Sequence, residues 1–115
     1  MAARDHGPRG VDCYVVTLGD AVAGFAAVRE DEFLHFGVAL EHWGSGLAGQ
    51  AHDAVMRSLA HKGLRRAWLL AFTGNVRGRR FYEKHSWEHT GERTHSAFPP
   101  RPELMRYERG IEPAP

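Results

Sequence analysis

The sequence predicts an α+β fold: a mixed, mostly antiparallel sheet with two flanking helices, in the order β-β-β-α-β-α-β-β. Three observations carry this. The turn pairs Gly19-Asp20 and Glu30-Asp31 separate three β-branched and aromatic runs, and connections that short make an antiparallel meander. Between Gly46 and His61 the apolar period lengthens to four. Beyond it come an apolar run, a shorter helical stretch and two more strand-like runs.

The strands of the meander are Cys13–Leu18, Ala21–Arg29 and Glu32–Leu40. Gly24 interrupts the second and signals a bulge or a close backbone approach. In the first helix Leu47, Ala51, Val55 and Leu59 line one face, with Ala48 and Met56 beside them. His61-Lys62-Gly63 closes it, with cations in the last turn and glycine just beyond. Ala67–Phe72 (AWLLAF) reads as a strand buried on both faces. Following a strand–helix unit, it is expected parallel to the strand before that helix, through a right-handed crossover. The second helix, Val76–His85, has Asn75 as its N-cap. Strands Trp87–Arg93 and Glu103–Arg109 flank the proline-rich loop 97–102.

At 115 residues the chain makes one domain, and 43% hydrophobic content supplies a core. The expected boundaries are a flexible leader over 1–11, a folded domain over 12–110 and a flexible tail over 111–115. Fifteen basic against 14 acidic residues give a net charge of +1, which offers no electrostatic footprint for nucleic acid or an anionic membrane. No apolar run approaches the roughly 18–20 residues of a membrane span, and the N-terminus is not a secretory signal. The single cysteine, Cys13, excludes a disulfide framework or a cysteine metal cluster and fits a reducing, cytoplasmic setting. The eight histidines lack paired ligand spacing, so no metal is expected.

The segment 38–50, VALEHWGSGLAGQ, carries the first chemical signal. A strand runs through Gly44-Ser45-Gly46-Leu47-Ala48-Gly49 into a helix. Glycines allow the tight bend and leave room for a ligand, and the free N–H groups of the helix start point at it, backed by the helix dipole. That suits a phosphate or pyrophosphate. A P-loop is excluded by the missing Lys-Ser/Thr pair. Gly44, Gly46 and Gly49 match dinucleotide spacing, but the third strand of a meander precedes them and the run 67–72 ends at Thr73 rather than at an acidic residue, so that reading is weaker.

The second signal is 75–87, NVRGRRFYEKHSW. Together the two segments resemble the GNAT superfamily of N-acetyltransferases. That family carries (Gln/Arg)-x-x-Gly-x-(Gly/Ala) at the pyrophosphate-binding helix, and here Trp43, Gly46 and Ala48 stand at those positions. Further on the family shows Asn-x5-Phe-Tyr-x3-Gly-(Phe/Trp), matched here by Asn75, Phe81, Tyr82, Ser86 and Trp87. Trp43 replaces the usual Gln/Arg and Ser86 the usual glycine.

The resemblance implies acetyl-CoA as acyl donor, a primary amine (most simply of a small molecule) as acceptor, and direct attack in a ternary complex. It implies a bulged strand whose backbone at Phe36, Gly37 and Val38 binds the pantetheine, and a pyrophosphate on the N–H groups of Gly44 to Gly49. Tyr82 matches the tyrosine that protonates the departing thiolate; the alternative is packing, the role read for Phe81. Asn75 orients the pantetheine, caps its helix, or does both. Glu32 stands where some relatives carry a catalytic glutamate, yet it also ends the acidic run Glu30-Asp31-Glu32 of a solvated turn. His35 is the other candidate base. By simple alternation it faces away from Glu32, Leu34 and Phe36. Arg77, Arg79 and Arg80 are a solvated helix face or contacts for the CoA 3′-phosphate. The usual N-terminal strand and two helices of the family have no counterpart here, and covering the exposed edge by a homodimer is the matching expectation. A non-catalytic acyl-CoA-binding or partner-binding module is the alternative function.

Overall fold

The computed structural model describes residues 2–6 and 10–113. Its elements are β1 (Ala2–His6), β2 (Val11–Leu18), β3 (Ala21–Arg29), β4 (Glu32–Val38), α1 (Leu47–His61), β5 (Arg66–Phe72), α2 (Val76–Lys84), β6 (Glu88–His95) and β7 (Glu103–Gly110). They form two compact units: the chain up to Arg65 together with the segment from Ile111, and Arg66–Gly110. The architecture is α+β, with antiparallel strands and two helices. No described helix is long and apolar enough to cross a membrane.

In the first unit β1 to β4 pair consecutively and antiparallel, with Tyr14 opposite Ala26 and Ala26 opposite Phe36. Both meander turns need a left-handed residue, supplied by Gly19 (φ 62°) and Glu30 (φ 57°). Gly24 answers both expectations placed on it. Val16 pairs with Gly24 and Thr17 with Val22, so Ala23 is an extra, bulged residue. A Cβ on Gly24 would also run into the Gly37 carbonyl oxygen of β4.

Helix α1 lies on the face that carries Val16, Ala23, Phe36 and Val38, against which Leu47 and Ala51 pack. Its buried stripe continues through Val55, Met56 and Leu59, the period-four face the sequence shows. Each such apolar side chain contributes roughly 1.5–3 kcal/mol when fully buried. Gly63 (φ 84°) ends the helix, with Gly63 N–H donating to the Ala60 carbonyl and Leu64 N–H to the Leu59 carbonyl. Polar contacts join the helix and its C-cap to β2, among them the Tyr14 hydroxyl with Ser58 Oγ at 3.0 Å and the Lys62–Asp12 ion pair.

In the second unit β7 lies between β5 and β6, antiparallel to both. Ala67, Leu69, Ala71, Trp87, Met105 and Tyr107 are its buried residues.

Three expectations need correction. The leader expected over 1–11 contains a strand: Ala2–His6 pair with β2, held by main-chain pairing that no apolar pattern announces, while residues 1 and 7–9 lie outside the described ones. The tail expected over 111–115 begins with an anchored residue, since Ile111 is 6% exposed and its N–H donates to the Arg65 carbonyl. Residues 114–115 lie outside the described ones. Finally, β5 is not buried on both faces. Ala67, Leu69 and Ala71 are buried but Trp68 and Leu70 only half so, and the Arg106 guanidinium stacks 4.3 Å from the Trp68 ring.

Candidate acyl-CoA site

β4 stops at Val38 rather than Leu40, and a short 3-10 turn covers Leu40–His42. The following turn is tied by His42 N–H to the Ala39 carbonyl (2.9 Å) and Ser45 N–H to the His42 carbonyl (3.2 Å). Ser45 Oγ donates to that same carbonyl at 2.5 Å. Gly44 (φ 80°) and Gly46 (φ 87°) occupy the left-handed region. Any other residue there costs about 1–2 kcal/mol. Gly46 is the N-cap of α1 and offers no side-chain cap, and the first turn holds no acidic residue. Leu47 N–H reaches Ser45 Oγ at 3.3 Å. Ala48 and Gly49 N–H precede the first intrahelical donor, Gln50, which bonds the Gly46 carbonyl. A Cβ at Gly44 or Gly46 would meet nothing within 4 Å, so the ground before the helix is open. An uncapped, electropositive terminus of a 15-residue helix with open space ahead of it fits a diphosphate. Trp43, 50% exposed, donates its indole N–H to the Val38 carbonyl at 3.1 Å.

The bulge in β4 exists, but not at Phe36–Val38. Those three residues pair in register with Ala26, Phe25 and Gly24. Ala27 pairs with His35 and Val28 with Phe33, which leaves Leu34 as the extra residue. An inserted residue shifts every later side chain by one face. Phe33 and Phe36 therefore share a face, their rings 5.4 Å apart. Simple alternation put Glu32 and His35 on opposite faces; with the insertion they share one. Glu32 is not a solvated turn residue either. It is 7% exposed, and Arg29 Nη2 donates to its Oε1 at 2.8 Å, while His35 is exposed.

In the second unit α2 carries the other candidates. Asn75 caps it, Oδ1 accepting from Gly78 N–H at 3.0 Å. A Cβ at Gly78 would collide with the Asn75 amide, so a larger residue there would displace the cap. The half-buried Tyr82 stands edge-on to Trp87, centroids 6.1 Å apart, and 5.7 Å from Phe81. Burial pushes its phenol above the ordinary tyrosine value, so it holds its proton at neutral pH. Phe81 stacks on His85 at 4.3 Å. Trp87 is 2% exposed and lies just before β6 rather than inside it.

A family model described as the acetyltransferase (GNAT) family matches residues 2–87. The chain belongs to the GNAT acetyltransferase family. The fold agrees with solved GNAT structures. A GNAT family acetyltransferase from Elizabethkingia anophelis with acetyl-CoA bound superposes with TM-score 0.79 at 12% identity, covering 89% of this chain and 77% of that one. The ribosomal-protein-S18-alanine N-acetyltransferase from Escherichia coli gives 0.77 at 17% identity, with 96% and 75% covered. The IAA acetyltransferase from Bacillus cereus gives 0.77 at 13%, with 90% and 79% covered. A search of curated proteins gives no significant match.

Within this GNAT domain the structure gathers Phe36, Gly37, Val38 and Trp43 to Gly49 at one strand end, and Asn75, Phe81 and Tyr82 on one short helix. Ser86, at the pattern's glycine position, has φ 73°, which explains why glycine suits that place. Arg79 leaves the solvated arginine face: its Nε donates to the Tyr107 hydroxyl at 3.2 Å and Nη1 to the Thr73 carbonyl at 3.0 Å. Arg77 and Arg80 stay exposed. Tyr107 and Glu83 carry no motif signal, and β7 is too far along the chain for periodicity to tie it to α2.

Proposed function

We propose that this GNAT domain transfers an acetyl group from acetyl-CoA to a primary amine of a small molecule, by direct attack in a ternary complex. The observation that carries the reading is the uncapped N-terminus of α1 behind left-handed Gly44 and Gly46. Bound there, the donor supplies an activated acyl carbon. The N–H groups of Ala48 and Gly49, within the Gly44–Gly49 turn, hold its diphosphate, and the backbone at Phe36, Gly37 and Val38 lines its pantetheine. The attacking amine must be neutral; its carbon–nitrogen bond forms as the carbon–sulfur bond breaks. Glu32, or His35 on the same face, takes the amine proton. The Tyr82 phenol gives its proton to the departing thiolate. Asn75 caps α2, and Phe81 packs beside Tyr82. A net charge of +1 gives no electrostatic reason for a macromolecular polyanion as acceptor.

We place the reaction in the cytoplasm, on the single free thiol of Cys13. Val22 and Phe25 of β3, 71% and 56% exposed, offer the apolar surface for a homodimer, which light scattering tests.

Calorimetric titration with acetyl-CoA, followed by thiol release against a panel of amines, tests the function. Amine-dependent release that Tyr82→Phe slows by about 10²–10⁴-fold is the expected result. Absence of acetyl-CoA binding would overturn the reading. Binding without turnover favours a second reading, a non-catalytic acyl-CoA-binding module. One observation supports that alternative: the Trp43 indole occupies the Val38 carbonyl at the strand end.

A further inference from the structure

Helix α2 has nine residues and none of them is fully buried. Helices under about 12–15 residues are marginal alone, so this one takes its position from what holds it. Apolar contact is non-directional and leaves a short helix free to slide or roll. One side chain of β7 supplies two directional contacts. Tyr107 of β7 is 0% exposed, and its hydroxyl donates to Glu83 Oε2 at 2.7 Å while accepting from Arg79 Nε at 3.2 Å. Arg79 and Glu83 are one turn apart on α2 and present one face. Arg79 Nη1 also donates to the Thr73 carbonyl, which ties that turn to the end of β5. The phenol thus uses its donor and one acceptor site on two groups of opposite charge.

Glu83 directly follows Tyr82, and the Tyr82 and Tyr107 rings lie 6.5 Å apart. We propose that Tyr107 is a positioning residue: its hydroxyl, held between Arg79 and Glu83, sets the register of α2 on β7 and so fixes where the Tyr82 phenol points. This rests on the reading of Tyr82 as the group that protonates the thiolate. The charged or titratable groups around the Tyr107 phenol are Glu83, Arg79, the His89 ring, 5.6 Å away, and the Tyr82 phenol, whose ring lies 6.5 Å away.

The test is Tyr107→Phe, which keeps the ring and removes only the hydroxyl. Tyrosine-labelled NMR, assigned with Tyr82→Phe, follows the Tyr82 titration. The expected result is a fall of that titration toward the ordinary tyrosine value, because a loosened helix admits water. Thiol release slows about tenfold, part of what a general acid supplies, while the KM for acetyl-CoA stays within about twofold. Glu83→Gln keeps an acceptor and behaves as wild type; Glu83→Ala behaves as Tyr107→Phe, and this pair decides the matter should Tyr107→Phe not fold. In a Tyr82→Phe background Tyr107→Phe slows the reaction no further. An unmoved Tyr82 titration in folded Tyr107→Phe, or in folded Glu83→Ala, overturns the proposal. A shifted titration with Tyr82→Phe fully active keeps the positioning and removes instead the acid role of Tyr82.

Discussion

The Trp43 indole N–H donates to the Val38 carbonyl across 3.1 Å, linking the loop before α1 to the end of β4. The GNAT resemblance has Gln or Arg at position 43. Replacing Trp43 by Arg frees the Val38 carbonyl and adds a cation beside a diphosphate, a charge-assisted contact of about 1.5–3 kcal/mol. Trp43→Arg is expected to tighten acetyl-CoA binding by about tenfold in calorimetry. Unchanged or weaker binding would show that the indole itself contributes to the site.

Two backbone positions predict changes of opposite sign. Gly46 at φ 87° cannot take a side chain without strain, so Gly46→Ala costs about 1–2 kcal/mol in urea unfolding and weakens acetyl-CoA binding. Ser86 at φ 73° bears such strain already. Ser86→Gly relieves it, less the added freedom of the unfolded chain, for a net gain of about 0.5–1 kcal/mol. A loss of stability in Ser86→Gly would mean that the hydroxyl makes a contact worth more than the strain.

Ionisation gives Arg66–Gly110 a stability plateau with two edges. The Tyr82 and Tyr107 phenols are both raised, first by burial. A raised phenol contributes stability that is complete below its unfolded value of about 10 and lost as pH rises through the folded value. Glu103 is lowered by hydrogen bonds from Arg93 and then Thr73, and Glu108 by those from Arg66 and then Arg106. Their contribution is present above the unfolded carboxylate value of about 4.3 and disappears as pH falls through the folded values. Urea midpoints followed by circular dichroism should therefore decline on both sides, and Tyr82→Phe should flatten the alkaline limb. An alkaline limb that Tyr82→Phe leaves intact would contradict the burial-raised phenol.

Glu32 and His35 share a face of β4, so their roles separate by substitution. Glu32→Gln keeps the hydrogen bond from Arg29 and removes the carboxylate. A fall in kcat of about 10²–10⁴ at neutral pH, with the KM for acetyl-CoA held, is expected if Glu32 takes the proton. The same fall in His35→Gln instead, with Glu32→Gln active, assigns the base to His35.

Elements written in neighbouring residues were legible from the chain alone. The meander, the buried stripe of α1, its glycine stop, the Asn75 cap and the Gly44–Gly49 turn all follow from local period and turn chemistry, because a few adjacent residues contain the whole cause. The family pattern was legible for the same reason: its two motifs sit on single strand–turn–helix and turn–helix segments. Tertiary structure alone decided the rest. The bulge at Leu34 depends on register against β3, and it reversed which candidates share a face. β1 is held by main-chain pairing, which leaves no side-chain pattern to read. Tyr107, Arg79 and Glu83 meet because β7 lies behind α2, and no periodicity within one segment reports a hydrogen bond between residues 24 or 28 positions apart.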